Sequence, residues 1–395
     1  MHNLGSSITA MTSLETIKSV ISNNVGASLN AVANEWEHFV DTGKLSGKNL
    51  RPIIADSWLR CRELAINPRE ERACSVISAK EIEAKLHHEN LGISGKNVLD
   101  RMAQIVDGTG HTIVLADNSG SILYSVGHQQ IQDHLEKINF RPGGGWNENS
   151  VGPNGIGTTL ALGRPELIMG SEHFCQGWQP WVCYGAPIHN PSNHSILGCI
   201  DITGPADKVC VEAMALAISI TQSIEADLSA MQLKNREILR SAYSEVRMKW
   251  PNDASLVLDD NGYLVDINSY AYDLLHISSP DLLNIPFTLS LPELWLDVQS
   301  CLRDGLEREC EMSLQNIVMD SIPYLVKPVS MNGKQLGCAI VFTSGRCANN
   351  IPVSLRDNED ELIKKTLIQT DGNITRAAEI LNIDRATIYR RRKHW

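Results

Sequence analysis

Six basic side chains gather in the last twenty residues of the chain. The stretch 376–395 contains two acidic residues and has a net charge of +4; the whole chain carries −11, so residues 1–375 carry −15. Lys and Arg attract DNA phosphates and release the counterions held by them. A short basic segment on an acidic chain therefore indicates binding to duplex DNA. The basic residues are Arg376, Arg385, Arg390, Arg391, Arg392 and Lys393.

Other polar clusters do not have the spacing that catalysis or metal binding requires. His173 and Cys175 lie two residues apart, but Cys183 and His189 are remote from them, so no metal or redox site is predicted. The Gly-rich stretch 141–159, RPGGGWNENSVGPNGIGTT, lacks the lysine of a phosphate-binding loop. No nucleophile elbow or triad pattern is present. The sequence predicts a protein that is not an enzyme and has no cofactor.

The basic residues lie on a predicted helix-turn-helix. Helices are predicted over Glu359–Gln369, Ile374–Leu381 and Arg385–His394, with Asp384 capping the last one. Two short helices around a tight turn, with small alanines where they cross, are typical of this motif. A solvated basic tail is the alternative. The residues predicted to contact DNA bases or phosphates are Asn373, Thr375, Arg376, Arg385, Ala386, Thr387, Tyr389, Arg390, Arg391, Arg392 and Lys393.

Two upstream segments show the pattern of small sheet-containing units. Each opens with a strand, an acidic turn containing glycine, and a second strand, at 113–127 and again at 255–268. A helix is predicted to follow the second hairpin at Ser269–His276. The further predicted strands are Trp181–Ile188, Ile196–Thr203, Glu309–Ile317, Tyr324–Val329 and Gly337–Phe342.

A long helix over 206–248 is predicted between these two units. Its apolar residues, among them Ala217, Ile220, Ile224 and Leu228, step mostly by three and four. A seam of this length commonly pairs with a second helix, often across a dimer. The alternative is a helix that packs back on its own domain.

Length and composition place the chain among multidomain globular proteins. Its 395 residues suffice for two to four domains, and 43% of them are hydrophobic. The N-terminus lacks the pattern of a secretory signal, and the ten cysteines are scattered, which favours a cytoplasmic protein with reduced thiols. The best apolar stretch, Val209 to Ile224, contains several polar residues, so no membrane span is predicted.

The motifs resemble one group of bacterial regulators. The stretch GNITRAA…LNIDRATIYR (372–390) resembles the Fis-type helix-turn-helix that ends many enhancer-binding activators, which bind DNA as dimers. The Gly-rich stretch continuing to LGCIDITGP, with DSWLRC at 56–61 ahead of it, resembles the GAF sensor of acetoin-catabolism and dihydroxyacetone-kinase-operon activators. The unit around Asn268 resembles a PAS domain. No G-x-x-x-x-G-K-[ST] or GAFTGA sequence lies between sensor and DNA module, where those activators carry an AAA+ sigma-54 ATPase.

The resemblance implies an α+β multidomain protein, with antiparallel-sheet GAF and PAS sensors joined by a long helix and an all-α helix-turn-helix at the C-terminus. The implied domains are an N-terminal helical region (1–77), the GAF-like domain (78–205), a connecting, dimerising helix (206–250), the PAS-like domain (252–345), a linker (346–354) and the Fis-type module (355–395). The residues expected near a small-molecule pocket are Trp146, Glu172, His173, Phe174, Trp178, Trp181, Cys183 and Tyr184.

The implied function is ligand-responsive regulation of a catabolic operon by a homodimer. The implied partners are double-stranded promoter DNA, RNA polymerase and a small alcohol, diol or ketone as effector. Without the ATPase, such a regulator would recruit or occlude another form of polymerase, or modulate a full-length sigma-54 activator. The alternative is a signalling adaptor whose sensor region binds a protein such as a metabolic kinase subunit.

Overall fold

The computed structural model describes residues 25–46, 50–275, 292–312 and 322–343 and, near the C-terminus, residues 363, 366, 367, 370, 373–381, 383, 385, 388 and 389. Among these residues, the first unit contains seven α-helices, two short 3-10 helices (Gly170–Glu172 and Gln176–Trp178) and five strands. Its helices are α1 (Val25–Thr42), α2 (Pro52–Glu63), α3 (Ala79–His88), α4 (Asn90–Asp107), α5 (Gln129–Lys137), α6 (Glu148–Val151) and α7 (Gly155–Leu162). Its strands are β1 (Thr112–Asp117), β2 (Ile122–Gly127), β3 (Glu166–Met169), β4 (Trp181–His189) and β5 (Ile196–Pro205).

The five strands of the first unit form one antiparallel sheet in the order β2-β1-β5-β4-β3. The predicted hairpin at 113–127 is present. Its turn is held by the Asp117 carboxylate, which accepts hydrogen bonds from the amides of Ser119 at 2.9 Å and Ser121 at 3.1 Å. Gly120 has φ +81°, a conformation that favours glycine. Local signals therefore determine this hairpin.

Each face of the first sheet is covered by a different set of helices. On one face, Leu99 and Val98 of α4 join the core that contains Leu115 and Tyr184. On the other face, the tryptophans of α1 and α2 pack in one core with Trp146 of the Gly-rich stretch and with Trp178. The N-terminal helices thus share a core with the first sheet, although the domain boundary at residue 77 stays a prediction.

A 39-residue helix, α8 (Val211–Lys249), leaves the first unit and reaches the second. At 1.5 Å per residue it is about 58 Å long. Its first half, including Ile220 and Ile224, is buried in the core of the first sheet. Its second half buries Leu239 and Tyr243 against the second sheet. The buried apolar residues of α8 therefore pack against other parts of the same chain. The sequence had left this open as the alternative to pairing with a second helix.

The second unit repeats the antiparallel plan in another five-stranded sheet. Its elements are β6 (Ala254–Asp259), β7 (Leu264–Ile267), α9 (Ser269–Leu274), α10 (Pro292–Asp304), β8 (Arg308–Met312), β9 (Ile322–Met331) and β10 (Lys334–Phe342). The strands lie in the order β7-β6-β10-β9-β8. Asn268 joins the first hairpin to the helix after it, because its Oδ1 accepts from the amides of Ser255 at 3.0 Å and Ala271 at 2.9 Å. The strand predicted over Glu309–Ile317 is described only as far as Met312.

Near the C-terminus, α11 (Ile374–Leu381) coincides with the predicted first helix of the motif. Asn373 caps it by accepting a hydrogen bond from the amide of Arg376 at 3.1 Å. Ala377 and Ala378 are buried with Ile363 and Ile388 in a small core. The α+β class predicted from the sequence, with two antiparallel sheets joined by a long helix, is confirmed. Among the described residues, no helix has the length and apolar character to cross a bilayer.

Candidate functional site

The small C-terminal core separates a buried face from an exposed polar face. Ala377, Ala378 and Ile388 point into the core. Five of the residues predicted to contact DNA are exposed, and Tyr389 keeps 59% of its surface accessible. The exposed five are Asn373, Thr375, Arg376, Arg385 and Tyr389. The other six lie outside the described residues: Ala386, Thr387, Arg390, Arg391, Arg392 and Lys393.

This exposed face has the chemistry of a nucleic-acid contact. Guanidinium groups such as those of Arg376 and Arg385 make bidentate hydrogen bonds to phosphates or to guanine edges. Since Ala377 and Ala378 of α11 are buried in the core while Thr375 and Arg376 are exposed, these polar side chains remain accessible to a partner. The structure thus shows a small core within the predicted helix-turn-helix, and this core holds the helix that carries the exposed polar residues.

The predicted aromatic pocket residues form a filled core. The rings of Trp146 and Trp178 lie 4.8 Å apart, edge to face. Their indole N–H groups donate to backbone carbonyls, of Asn139 at 3.2 Å and of Val151 at 2.9 Å. Phe174 and Trp181 are buried in the same cluster. The structure brings these four aromatic residues together in one hydrophobic core, where they pack with other buried side chains.

Glu172, another predicted pocket residue, forms an ion pair with Arg51, a partly buried arginine. Arg51 donates from Nε to Oε1 at 2.7 Å and from Nη2 to Oε2 at 2.8 Å. The amide of Met169 donates to Oε2 at 3.1 Å. Arg51 also contacts Glu166 at 3.4 Å. Sequence reasoning missed Arg51, whose partners lie more than a hundred residues away.

His173 and Cys183 belong to a buried polar chain under the N-terminus of α7. Nε2 of His173 lies 3.6 Å from Sγ of Cys183, and the Thr203 hydroxyl lies 3.4 Å from the same sulfur. That hydroxyl donates to Oδ2 of Asp201 at 2.6 Å. Burial lowers the pKa of His173 to about 4 and raises the pKa of Asp201 to about 7. The imidazole is therefore neutral near pH 7.

Two glycines allow this polar chain to approach the helix. A Cβ on Gly155 would lie 2.0 Å from Oδ1 of Asp201, and a Cβ on Gly185 would lie 2.1 Å from the Thr159 hydroxyl. Oδ1 of Asp201 and Oγ1 of Thr159 are buried and make no hydrogen bond to the described part of the chain. Sequence reasoning missed Asp201, although an acidic residue within the apolar strand CIDIT was a signal. Among the described residues, no group of three or more His, Cys, Asp or Glu could hold a metal ion.

Tyr184 lies on the opposite face of the sheet from Cys183. Neighbouring residues of a strand alternate between faces. Tyr184 is buried in the core shared with α4 and α8, where its hydroxyl accepts a hydrogen bond from the amide of Cys210 at 2.8 Å. The structure therefore does not bring Tyr184 together with the other predicted pocket residues.

Comparison with known proteins adds family information to this geometry. The profile described as "MimR, N-terminal domain" matches residues 30–226, and the profile "Bacterial regulatory protein, Fis family" matches residues 354–395. The acetoin dehydrogenase operon transcriptional activator AcoR of Bacillus subtilis is 32% identical over 221 residues, which are 55% of this chain and 36% of that protein.

The propane 2-monooxygenase operon transcriptional activator MimR of Mycolicibacterium smegmatis is 30% identical over 235 residues, which are 59% of this chain and 39% of that protein. The chain thus spans well under half the length of both activators. The crystal structure of the E. coli DhaR(N)-DhaL complex aligns with 74% of this chain and all of that chain, at 17% identity and a TM-score of 0.47. The chain is a relative of these bacterial operon activators, with a MimR N-terminal domain and a Fis-family C-terminal segment.

Proposed function

We propose that the chain is a cytoplasmic, DNA-binding transcriptional regulator of a catabolic operon whose upstream domains respond to a small molecule. The observation that carries this proposal is the C-terminal module. Its alanines close a core with Ile363 and Ile388, while Arg376, Arg385 and Tyr389 are exposed. The match of residues 354–395 to Fis-family regulators supports the same function.

The long helix supplies the link between sensing and DNA binding in this proposal. Because α8 is buried against the first sheet at Ile220 and against the second at Tyr243, a shift of either unit moves the other. Ligand binding would shift the population between two arrangements of the units. A homodimer then carries two recognition helices, whose spacing changes with the arrangement, and acts on RNA polymerase at the promoter.

Fluorescence anisotropy with duplex DNA tests the DNA-binding claim. The wild-type chain is titrated into the regulatory region of the neighbouring operon and into unrelated DNA of equal length, at about 0.1 M salt. Tighter binding to the operon DNA is expected, and the association constant should fall as the salt concentration rises. Equal and weak binding to both duplexes would favour the alternative, an adaptor that acts through protein contacts.

Two arginine variants sharpen this test. Arg385→Ala removes a predicted base or phosphate contact and is expected to cost about 1–3 kcal/mol of binding free energy. Arg101→Ala is the matched control, since it removes one exposed positive charge from α4. Loss of affinity in both variants alike would show a non-specific charge effect and contradict the assignment of the recognition helix.

A further inference from the structure

A polar cleft of about 400 Å³ lies beside α7, where the turn after β1 meets the start of α6. This volume falls within the range of small-molecule sites, roughly 300–1,000 Å³. Its polar wall comes from three asparagines and one ion pair, and its floor from the apolar side of α7. The residues that matter here are Arg60, Asn118, Asn147, Glu148, Asn149 and Leu160.

Glu148 gives the cleft an unused acceptor. The residue is 6% exposed, and its Oε1 accepts hydrogen bonds from the Ser57 hydroxyl and from Nη2 of Arg60, the latter at 2.5 Å. Its Oε2 is buried and has no hydrogen-bond partner within the described residues. A buried acceptor without a partner is unfavourable. A rotation of this carboxylate toward the cleft would let a ligand hydroxyl donate to the oxygen and remove the penalty.

The charges around the cleft select against ions. The carboxylate of Glu148 and the guanidinium of Arg60 cancel each other, because they form a direct ion pair. The asparagine amides are neutral, and each offers both a donor and an acceptor. The side chain of Arg60 is 48% exposed and has further N–H donors besides the one used on Glu148. The wall thus matches a neutral molecule that both donates and accepts hydrogen bonds.

The cleft differs from the aromatic pocket that the sequence predicts. Trp146 and Trp178 are packed against each other and satisfied by backbone carbonyls, whereas Asn149 and Asn118 are exposed. The cleft also joins two parts of the first unit, since Arg60 lies on α2 and Glu148 on α6. A ligand that contacts both would change how α2 is held against the sheet.

We propose that the Arg60–Glu148 cleft binds a small neutral molecule with adjacent hydroxyl or carbonyl groups. Its role as the effector site rests on the proposed function, but its ligand binding does not. The aliphatic part of the ligand lies against Leu160, one hydroxyl donates to Glu148, and the asparagines and Arg60 donate to the second oxygen.

Titration by ligand-observed saturation-transfer NMR on the full chain tests the chemistry. Three probes of equal size are compared: propane-1,2-diol, which is neutral, lactate, which is an anion, and 1-amino-2-propanol, which is a cation. The diol is expected to bind with micromolar to millimolar affinity and at least about tenfold more tightly than either ion. Equal binding of the three probes, or no binding of the diol, overturns the proposal.

Variants locate the binding site. Asn118→Ala and Asn149→Ala remove exposed amides without touching a core, and each is expected to weaken diol binding about threefold to tenfold, the effect of one neutral hydrogen bond. Asn252→Ala, an exposed asparagine ahead of the second sheet, is the control and leaves binding unchanged. Diol affinity that survives both cleft variants would place the probe elsewhere and refute the assignment.

A charge-altering variant gives an independent readout. Glu148→Gln leaves Arg60 without its counterion, so the cleft is expected to reverse its preference and bind lactate more tightly than the diol. If this variant does not fold, the two asparagine variants still decide the question. DNA binding is measured separately, so failure of the cleft assignment leaves the DNA-binding claim intact, and failure of DNA binding leaves the cleft assignment intact.

Discussion

Replacing Asp201 with asparagine is expected to make the first unit less sensitive to rising pH. Asp201 is fully buried on β5, and its Oδ1 has no hydrogen-bond partner in the described part of the chain. Burial raises the pKa of this carboxyl from 3.8 to about 7. The folded state therefore binds the proton more tightly than the unfolded state, and stability is lost as pH rises from about 4 to about 7.

The size of the effect follows from this pKa difference. A shift of about three units corresponds to about 4 kcal/mol of destabilisation once the carboxylate is charged. Between pH 5 and pH 8 the cost of charging Asp201 grows by about 2–3 kcal/mol. The neutral amide of asparagine avoids that cost and still accepts the hydrogen bond that the Thr203 hydroxyl now donates. The stability of Asp201→Asn relative to wild type should therefore increase by this amount over the same range.

Urea unfolding followed by tryptophan emission measures this difference, because five of the eight tryptophans lie in the first unit. His173, whose pKa burial lowers to about 4, contributes stability that is lost as pH falls from 6.5, but it is present in both proteins and cancels in the comparison. Asp207→Asn, at an exposed position after β5, is the control and should match wild type. A constant difference between Asp201→Asn and wild type from pH 5 to pH 8 would refute the buried-carboxylate argument.

Three further outcomes follow from the same packing. Arg51→Met should destabilise the first unit by about 3 kcal/mol in urea unfolding, because it removes the guanidinium partner of buried Glu172 and one of the two guanidinium partners of buried Glu166. A change below about 1 kcal/mol would contradict this. Gly155→Ala should cost about 1–3 kcal/mol in the same assay, since its Cβ would lie 2.0 Å from Asp201 Oδ1 and 2.6 Å from Cβ of Cys183; unchanged stability would show that the approach is loose. The thiol of Cys183 should resist alkylation in the folded chain, because it is buried and burial raises its pKa, whereas the exposed thiol of Cys74 should react. Equal alkylation rates of the two thiols, measured by mass spectrometry, would argue against this core.

Elements with local signals were predictable from the sequence. The hairpins at 113–127 and 255–268 each contain an Asp-x-x-Gly turn between their two strands, and Gly120 and Gly262 both adopt φ +81° in the structure. The helix Ile374–Leu381 has its predicted bounds because Asn373 caps it and two alanines mark its buried face. In these segments the information lies within a few neighbouring residues.

Other elements and most of the site depend on distant residues. Strand β3 has four residues, too few for a periodic pattern to be recognised. Helix α10 was not predicted, although Leu294, Val298 and Cys301 are spaced to share one buried face. Glu148 pairs with Arg60, 88 residues earlier in the chain. Strand order and helix docking create such contacts, and no local pattern contains them.

DNase I footprinting on the regulatory region of the neighbouring operon tests the central claim most directly. The account predicts protection of two related half-sites about one helical turn, 10–10.5 base pairs, apart or a multiple of it, as two recognition helices of a dimer require. Arg385→Ala should lose this protection at the same protein concentration. The absence of any protected sequence at about 0.1 M salt, with a folded wild-type chain, would contradict the account.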